Sequence, residues 1–301
     1  MVNGVRLWYK VAGSGQPGEA PLVYLHGGPG YNSYSFEKTI GQRLERHVQI
    51  IYLDERGSGR SERPWGGDYT LSSFVEDLEG LRSSLGLSQI SIMGHSFGGT
   101  IALEYAARYP SHVQKLIIVD GAADLPAAFG VWRQEIEQRY PQEWAAALKS
   151  AAGAQMLAAE KGSDACAVAK PEFNVEMSVL QKVDSNEFHH WQQFHDQRFE
   201  KEQEALDASS GLKNTGEIGR IYFDSTSQFP CYRFAQASKL TMPTLVIAGK
   251  YDGAIGVEQM RALAASVNGS QFDEFDQSGH FPYAEEPSKF EHDVLAFLAQ
   301  R

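Results

Sequence analysis

The chain has 301 residues and a formal net charge of −11, with 38 acidic against 27 basic side chains. This length allows one large domain, or a core domain that carries a sizeable insertion. The acidic balance argues against nucleic acid and anionic membrane as partners, because phosphate groups attract clustered Lys and Arg, and no such cluster occurs. No apolar run reaches the roughly 18 residues that a membrane-spanning helix needs.

The start of the chain and its cysteines predict a cytoplasmic protein. The first residues, MVNGVRLWYKVAGSG, lack the basic start and long apolar run of a signal peptide. Cys166 and Cys231 form neither a disulfide framework nor a metal motif, so we expect two reduced thiols. His189 and His190 would point about 100° apart on a helix and lack a third ligand at useful spacing. We therefore expect no metal site and no cofactor.

Strand-like runs alternate with helical patterns, as in an α/β fold whose mostly parallel sheet is covered by helices. Hydrophobic periodicity predicts the early elements in this order: strands over 5–11, 21–26 and 48–54, a helix over 71–86, a strand over 89–95, a helix over 98–109 and a strand over 115–120. Towards the end it predicts a strand over 243–252, a helix over 257–267, a strand over 270–276 and a helix over 286–300.

Residues 124–238 have a different character from the rest of the chain. They are rich in Ala, Glu, Gln and aromatic residues, and include helical stretches such as VWRQEIEQRY and EFHHWQQFHDQRFEKEQEAL. Nothing in this region reads as a run of buried strands. We predict a core domain formed by residues 1–123 and 239–301, with a helical cap domain, 124–238, inserted into it.

The segment SIMGHSFGGT places a serine between two glycines where an apolar strand meets a helix. Gly94, Ser96 and Gly98 satisfy the pattern Gly-x-Ser-x-Gly. In this context the turn holds the serine in an unfavourable backbone conformation and requires small neighbours on either side. We predict that Ser96 is a nucleophile, with an ordinary Gly-Ser-Gly turn as the alternative.

A serine nucleophile needs a base to take its proton, and a histidine base needs an acid to orient it. In the chain order Ser, acid, His, the candidates are Asp252 after TLVIAGKY and His280 in the loop DQSGHFPYAEEP. Asp120, which ends the strand KLIIVD, is the alternative acid. Backbone N–H donors for the oxyanion are predicted at Phe97, which follows the nucleophile, and at Gly28 in the loop HGGPG.

Four motifs occur in an order that resembles the α/β-hydrolase superfamily over nearly all of the chain: HGGPG, DERGSGRSE, GHSFGGTIALEYAARYP, and AGKYD followed by SGH. The first two are similar to those of proline iminopeptidases, serine aminopeptidases that release an N-terminal residue. The resemblance implies the α/β-hydrolase fold, a helical cap and the triad Ser96, Asp252 and His280. It also implies that Asp54 and Arg56 belong to a structural turn beside the oxyanion loop.

In that branch, glutamates of the cap hold the free α-ammonium of the substrate, which needs a desolvated counter-charge. This chain departs from the branch in two motifs. It has Gly-His-Ser-Phe-Gly where the branch has Gly-Gly-Ser-Trp-Gly, and the segments WQQFH and GRIYF lack the glutamates expected beside them. Candidate substrate-binding residues are therefore Glu187, Glu200, Glu217 and Trp191.

We predict a serine hydrolase that acts through an acyl-enzyme on a small amide or ester, with a small molecule or short peptide as substrate. A proline iminopeptidase-like aminopeptidase is the first interpretation. An esterase, lactonase or amidase for a small apolar acyl group is the alternative, and hydrolysis of a carbon–carbon bond with the same triad is a further one. A ligand-binding protein without turnover would retain the same fold.

Overall fold

A seven-stranded sheet forms the centre of the computed structural model, which describes residues 1–16, 18–212, 216–224 and 227–300. Its strand order is β1-β3-β2-β4-β5-β6-β7. Only β1 is antiparallel to its neighbour, and the other pairs are parallel. The strands are β1 Trp8–Ala12, β2 Leu22–Leu25, β3 Ile50–Asp54, β4 Ile90–His95, β5 Val113–Val119, β6 Thr244–Gly249 and β7 Gln271–Phe275.

Helices cover both faces of this sheet and also make up most of the stretch between β5 and β6. In chain order they are α1 Tyr34–Lys38, α2 Ile40–Leu44, α3 Leu71–Ser84, α4 Phe97–Arg108, α5 Leu125–Arg139, α6 Pro141–Ala147, α7 Ala151–Ala159, α8 Ala165–Leu180, α9 Asn186–Gln193, α10 Gln197–Ser210, α11 Glu217–Tyr222, α12 Val257–Ser266, α13 Pro282–Glu285 and α14 Pro287–Leu298. The predicted α/β-hydrolase architecture is confirmed, and each predicted strand is present with shifted ends.

The central strands are buried on both faces, which explains their nearly continuous apolar sequences. Successive side chains of a strand point to opposite faces. In β2, Val23 packs in the same cluster as Phe74 of α3, whereas Tyr24 packs with Phe36 of α1 and Phe290 of α14. A parallel sheet covered on both faces needs such apolar runs rather than alternation.

We call residues 124–238 the inserted segment, and its two ends lie next to each other. The amide of Phe234 donates to Ala123 O at 2.8 Å, and the amide of Leu125 donates to Tyr232 O at 3.0 Å. Within the segment, helices α5 to α9 enclose a cluster of buried apolar residues of their own. The helix predicted through 187–206 is interrupted, because α9 ends at Gln193 and α10 begins at Gln197. The division into core and cap domains remains a prediction.

The expectation of two reduced thiols is wrong, because Cys166 and Cys231 form a disulfide with their Cα atoms 4.7 Å apart. The two residues are 65 positions apart in the chain. Cys166 lies in the first turn of α8, and Cys231 ends the short 3₁₀ helix Phe229–Cys231. The two cysteines are close because these two elements pack together, and no local sequence pattern predicts that packing.

The motif DERGSGRS forms a turn tied together by buried charges. Asp54 accepts hydrogen bonds from Ser33 N at 2.9 Å and from Arg60 Nε at 2.6 Å. Arg56, which is 3% exposed, donates through two nitrogens to the two carboxylate oxygens of Asp77 on α3, at 2.7 Å each. The turn is therefore held against both the loop before α1 and the helix α3.

We expect Arg56→Met to lower the free energy of unfolding by about 3–5 kcal/mol, because it leaves Asp77 buried without its counter-charge. Denaturant titration followed by circular dichroism measures the change. The control is Arg63→Met, since the Arg63 side chain is 63% exposed beside Glu217 and such pairs contribute about 1 kcal/mol or less. Equal effects of the two substitutions would contradict the expectation.

Candidate active site

The backbone at Ser96 is strained, with φ 53° and ψ −119°, at the point where β4 passes into α4. The neighbouring glycines are required by close backbone contacts. A Cβ at Gly94 would meet the carbonyl of Gly98, and a Cβ at Gly98 would meet the carbonyl oxygens of Leu25 and His26. This tight strand-to-helix turn holds the serine side chain at the carboxyl end of the sheet.

The loop HGGPG follows β2 and is fixed by the buried ring of His26. The His26 Nδ1 lies 2.8 Å from Gly27 O, and its Nε2 lies 3.2 Å from the amide of Glu55. Nδ1 therefore carries the proton and Nε2 accepts, which is the neutral ring that burial favours by lowering the pKa of His26. Gly28 has φ 126°, and a Cβ there would lie 2.8 Å from Tyr31 N.

His280 and Asp252 meet beyond the ends of β7 and β6. The His280 Nδ1 lies 3.1 Å from Asp252 Oδ1, and both side chains are buried. The same oxygen accepts from Ala254 N at 2.8 Å and Ile255 N at 3.2 Å. Burial acts to raise the pKa of Asp252, but the charge and hydrogen bonding of His280 and the backbone N–H of Ile255 lower it overall.

The alternative acid, Asp120, lies against the same pair but is held differently. Its carboxyl oxygens accept from the amide of Gly249 at 3.1 and 3.2 Å, and its backbone has φ 42°. Burial, and next the charge of Asp252, raise the pKa of Asp120 well above its usual range. A neutral Asp120 can donate its proton to Asp252, so the contact to the histidine ring and the negative charge both belong to Asp252.

Two residues that hold the backbone beside His280 were not identified from the sequence. His95 Nε2 lies 2.8 Å from the carbonyl oxygen of His280. Because a carbonyl only accepts, this nitrogen carries the proton, and burial together with His280 lowers the pKa of His95 to about 3. Glu285 accepts from Gly279 N at 2.6 Å and from His195 N at 2.8 Å. The only sequence signal was the position of His95 inside Gly-x-Ser-x-Gly.

Two cavities meet at Ser96, and both also include Gly28, Gln193 and His280. The apolar chamber, of about 170 Å³, is further lined by Pro29, Phe97, Ala122, Leu125, Phe129, Trp132, Gln192, Phe223, Phe229, Ala254 and Ile255. The polar chamber, of about 270 Å³, is further lined by Gly27, Tyr31, His95, Phe194, Gln203, Asp207 and Phe281. A substrate bound at Ser96 would thus have aromatic and aliphatic groups on one side and hydrogen-bonding groups on the other.

The four candidate substrate-binding residues lie outside both chambers. Glu187 and Trp191 line a separate outer groove, and the Glu187 side chain is 87% exposed. Glu200 lies 2.8 Å from His190 Nδ1. Glu217 contacts the side chains of Arg63 and Tyr69 at 3.3 Å. These positions give none of the four a direct contact with a group bound at Ser96.

A different carboxyl group lies buried in the inserted segment. Neither side-chain oxygen of Glu176 on α8 has a hydrogen-bond partner among the described residues, and the side chain is fully buried. Burial, and next the charge of Glu172, raise its pKa well above the usual range. Phe173, one turn earlier, packs on Phe129 and Trp132 of the apolar chamber. Glu176 follows Phe173 by three residues on α8, so the two side chains lie on the same side of that helix, and Glu176 lines neither chamber.

The chain belongs to the alpha/beta hydrolase fold family, which matches residues 20–287. Proline iminopeptidase from Saccharolobus solfataricus is 26% identical over 305 residues, covering 99% of this chain and 91% of that protein. The crystal structure of a proline iminopeptidase-related protein from Thermus thermophilus superposes with a TM-score of 0.74 at 21% identity, covering 99% and 95%. An enol-lactonase from Burkholderia xenovorans gives 0.66 at 22% identity, covering 99% and 98%.

These likenesses confirm the predicted superfamily and its proline iminopeptidase-like branch. Membership of the family supports a hydrolase, whereas the solved structures establish the shared fold alone. Across the described part of the chain, no helix is both long and apolar enough to cross a membrane.

Proposed function

We propose that this protein is a serine hydrolase that acts through an acyl-enzyme, with Ser96 as nucleophile, His280 as base and Asp252 as the acid that orients it. The observation that carries the proposal is the strained serine at the junction of two chambers, beside a histidine 3.1 Å from a buried aspartate. Backbone N–H groups of Gly28 and Phe97 are the proposed oxyanion donors, since both residues line the apolar chamber around Ser96.

In the proposed reaction, His280 takes the Ser96 proton as Oγ bonds to the substrate carbonyl carbon, whose oxygen becomes the oxyanion. Collapse of this intermediate breaks the bond to the leaving amine or alcohol, which receives the proton from His280. Water then attacks the acyl-enzyme and gives a proton to His280, and release of the acid returns that proton to Ser96. Asp252 stays ionised throughout and stabilises the charged imidazole.

The preferred substrate class is a short peptide with a free amine on a small apolar N-terminal residue, as in the proline iminopeptidases that the chain resembles. The apolar chamber is compact and aromatic, which suits such a residue. Glu176 supports the recognition of an amine, because an unpartnered buried carboxyl group becomes a strong counter-charge once an ammonium group is beside it. Binding would then ionise Glu176.

A second candidate, an esterase or lactonase for a small apolar acyl group, is favoured by one observation. None of the described residues that line the apolar chamber is acidic. An acyl group without an amine would fill this chamber and leave Glu176 neutral. The two candidates therefore differ in whether Glu176 takes part in binding.

The deciding experiment compares kcat/KM for a prolyl anilide with a free amine, its N-acetylated twin and a short-chain acyl ester. The aminopeptidase predicts a preference of at least about 100-fold for the free amine over the acetylated compound, as for a desolvated ion pair. In Glu176→Gln this preference should largely disappear. The control is Glu160→Gln, an exposed change beside Arg133, whose charge also acts on Glu176, and it should keep the preference. Equal turnover of both anilides, together with turnover of the ester, would replace the aminopeptidase with the esterase.

The stability of Glu176→Gln provides an independent check on the state of this carboxyl group. Burial raises its pKa in the folded protein, so the wild type loses stability as pH rises from the ordinary glutamate pKa of about 4 towards the folded-state value. Glutamine does not titrate, so the stability of the variant relative to wild type should increase between pH 4 and pH 8. Thermal unfolding at several pH values measures it, and a constant difference would contradict a buried neutral Glu176.

In this proposal the inserted segment acts as a cap over Ser96. The cytoplasmic location remains a prediction, and the Cys166–Cys231 disulfide speaks against it, because cytosolic thiols are kept reduced.

A further inference from the structure

The far wall of the polar chamber carries a carboxylate that the proposed chemistry does not use. Asp207 lies on α10, half-buried, and accepts a hydrogen bond from the hydroxyl of Tyr31, which follows the oxyanion loop. Gln203, one turn earlier on α10, donates to the Tyr31 oxygen and to Asp207 Oδ1, the latter at 3.3 Å. Both hydrogen bonds to this carboxylate within the described residues therefore end on the same oxygen.

Asp207 has a fixed position but no counter-charge. Among the ion pairs formed by the described residues, none involves Asp207, and the groups that hold it are a phenol and an amide. Burial raises the pKa of Asp207 even though Tyr31 and Gln203 act to lower it. A carboxylate that has lost part of its hydration gains most from a cationic partner supplied by a ligand.

The chamber in which Asp207 lies also contains Ser96, His280 and Gly28, so a ligand there is continuous with the reacting bond. The apolar chamber, which also meets Ser96, offers aromatic and aliphatic contacts to the acyl half of the substrate. The two halves of a substrate extend in different directions from the carbonyl carbon that Ser96 attacks. If the acyl half fills the apolar chamber, the leaving group enters the polar chamber.

We propose that Asp207, held by Tyr31 and Gln203, selects substrates whose leaving group carries a positive charge. For a peptide, this is a basic residue immediately after the scissile bond; for an ester, it is an amino alcohol. The inference rests on the proposed serine-hydrolase function and adds a second specificity determinant, in the polar chamber rather than the apolar one.

The test compares prolyl-lysine amide with prolyl-norleucine amide, because norleucine preserves the alkyl chain of lysine without its charge. Wild type should cleave the lysine compound with at least tenfold higher kcat/KM, and Asp207→Asn should bring the ratio close to one. Glu204→Gln also removes one negative charge from α10, but at an exposed position, and it should keep the wild-type ratio. An unchanged ratio in Asp207→Asn would overturn the proposal. If kcat/KM falls by the same factor for both substrates, Asp207 has a structural role instead.

Product inhibition tests the same idea in the unmodified protein. Lysine amide should inhibit wild type at concentrations at least tenfold lower than norleucine amide, and equal inhibition would overturn the proposal. If neither dipeptide is cleaved but short-chain esters are, the proposal of an aminopeptidase fails, and the proposed selection by Asp207 is tested with esters. The comparison is then between butyrylcholine and 3,3-dimethylbutyl butyrate, its uncharged isostere, with the same expected ratio and the same loss in Asp207→Asn.

Discussion

Ser96→Ala is expected to lower kcat by about 10⁴-fold or more while KM changes by less than threefold. The hydroxyl forms the covalent bond to the substrate, and without it only oxyanion binding and substrate orientation remain. Alanine fits the turn, since the close contacts of this bend fall on Gly94 and Gly98 rather than on the side chain of residue 96. Steady-state kinetics with the prolyl anilide, at protein concentrations determined by absorbance, measures both quantities.

The matched control for this substitution is Ser91→Ala. Ser91 is buried on the same strand, 2% exposed, but lies at its opposite end. Its replacement should leave kcat within about twofold of wild type. If the kcat of Ser96→Ala lies within tenfold of the wild-type value, the serine mechanism is wrong. If that variant keeps every measurable function of the wild type, a ligand-binding protein without turnover is favoured.

Asp252→Asn should reduce kcat/KM by about 10³–10⁴-fold, because the amide neither holds the productive tautomer of His280 nor stabilises the imidazolium. Asp120→Asn should cost less than about tenfold. Burial and the neighbouring Asp252 charge raise the pKa of Asp120 and so favour its neutral form, and asparagine keeps an oxygen that can accept from Gly249 N. Parallel kinetics and unfolding curves for the two variants provide the comparison.

The reverse order of effects would make Asp120 the acid and Asp252 its support. Comparable losses in both variants would mean that the two carboxyl groups act as one coupled pair. That outcome would contradict the separate roles assigned to them here. The two apparent pKa values would then describe the pair of carboxyl groups, and neither value could be assigned to one residue.

The strand-to-helix turn at Ser96 could be predicted because Gly-x-Ser-x-Gly is a local pattern of five residues between an apolar strand and a helix. The contacts that require Gly98 are not local, since they come from the carbonyl oxygens of Leu25 and His26. Asp252 and His280 were chosen because they follow Ser96 at strand ends in the order acid, then His, that accompanies Gly-x-Ser-x-Gly. Parallel strands bring such carboxyl ends to one edge of the sheet. The helices α1 and α2 have five residues each, too few for a periodic signal, and were not predicted.

Residues whose environment depends on distant packing could not be predicted. In the sequence Glu176 reads as an ordinary helix charge, and its burial arises only when α8 packs into the fold. Asp207 likewise gains its partner Tyr31 only when α10 packs beside the loop after β2. The break between α9 and α10 follows no proline or glycine. It is compensated by Glu285, a residue about 90 positions away, which accepts the amide hydrogens of His195 and Asp196.

That same carboxylate gives the inserted segment a part in the architecture of the base. Glu285 also holds Gly279, and the amide of His280 donates to Gln193 O at 2.8 Å. The partners within the inserted segment are all main-chain atoms, namely the carbonyl oxygen of Gln193 and the amides of His195 and Asp196. A chimera that exchanges this segment for that of another hydrolase would therefore keep these hydrogen bonds only where the new backbone follows the same path past Glu285, which lies outside the segment.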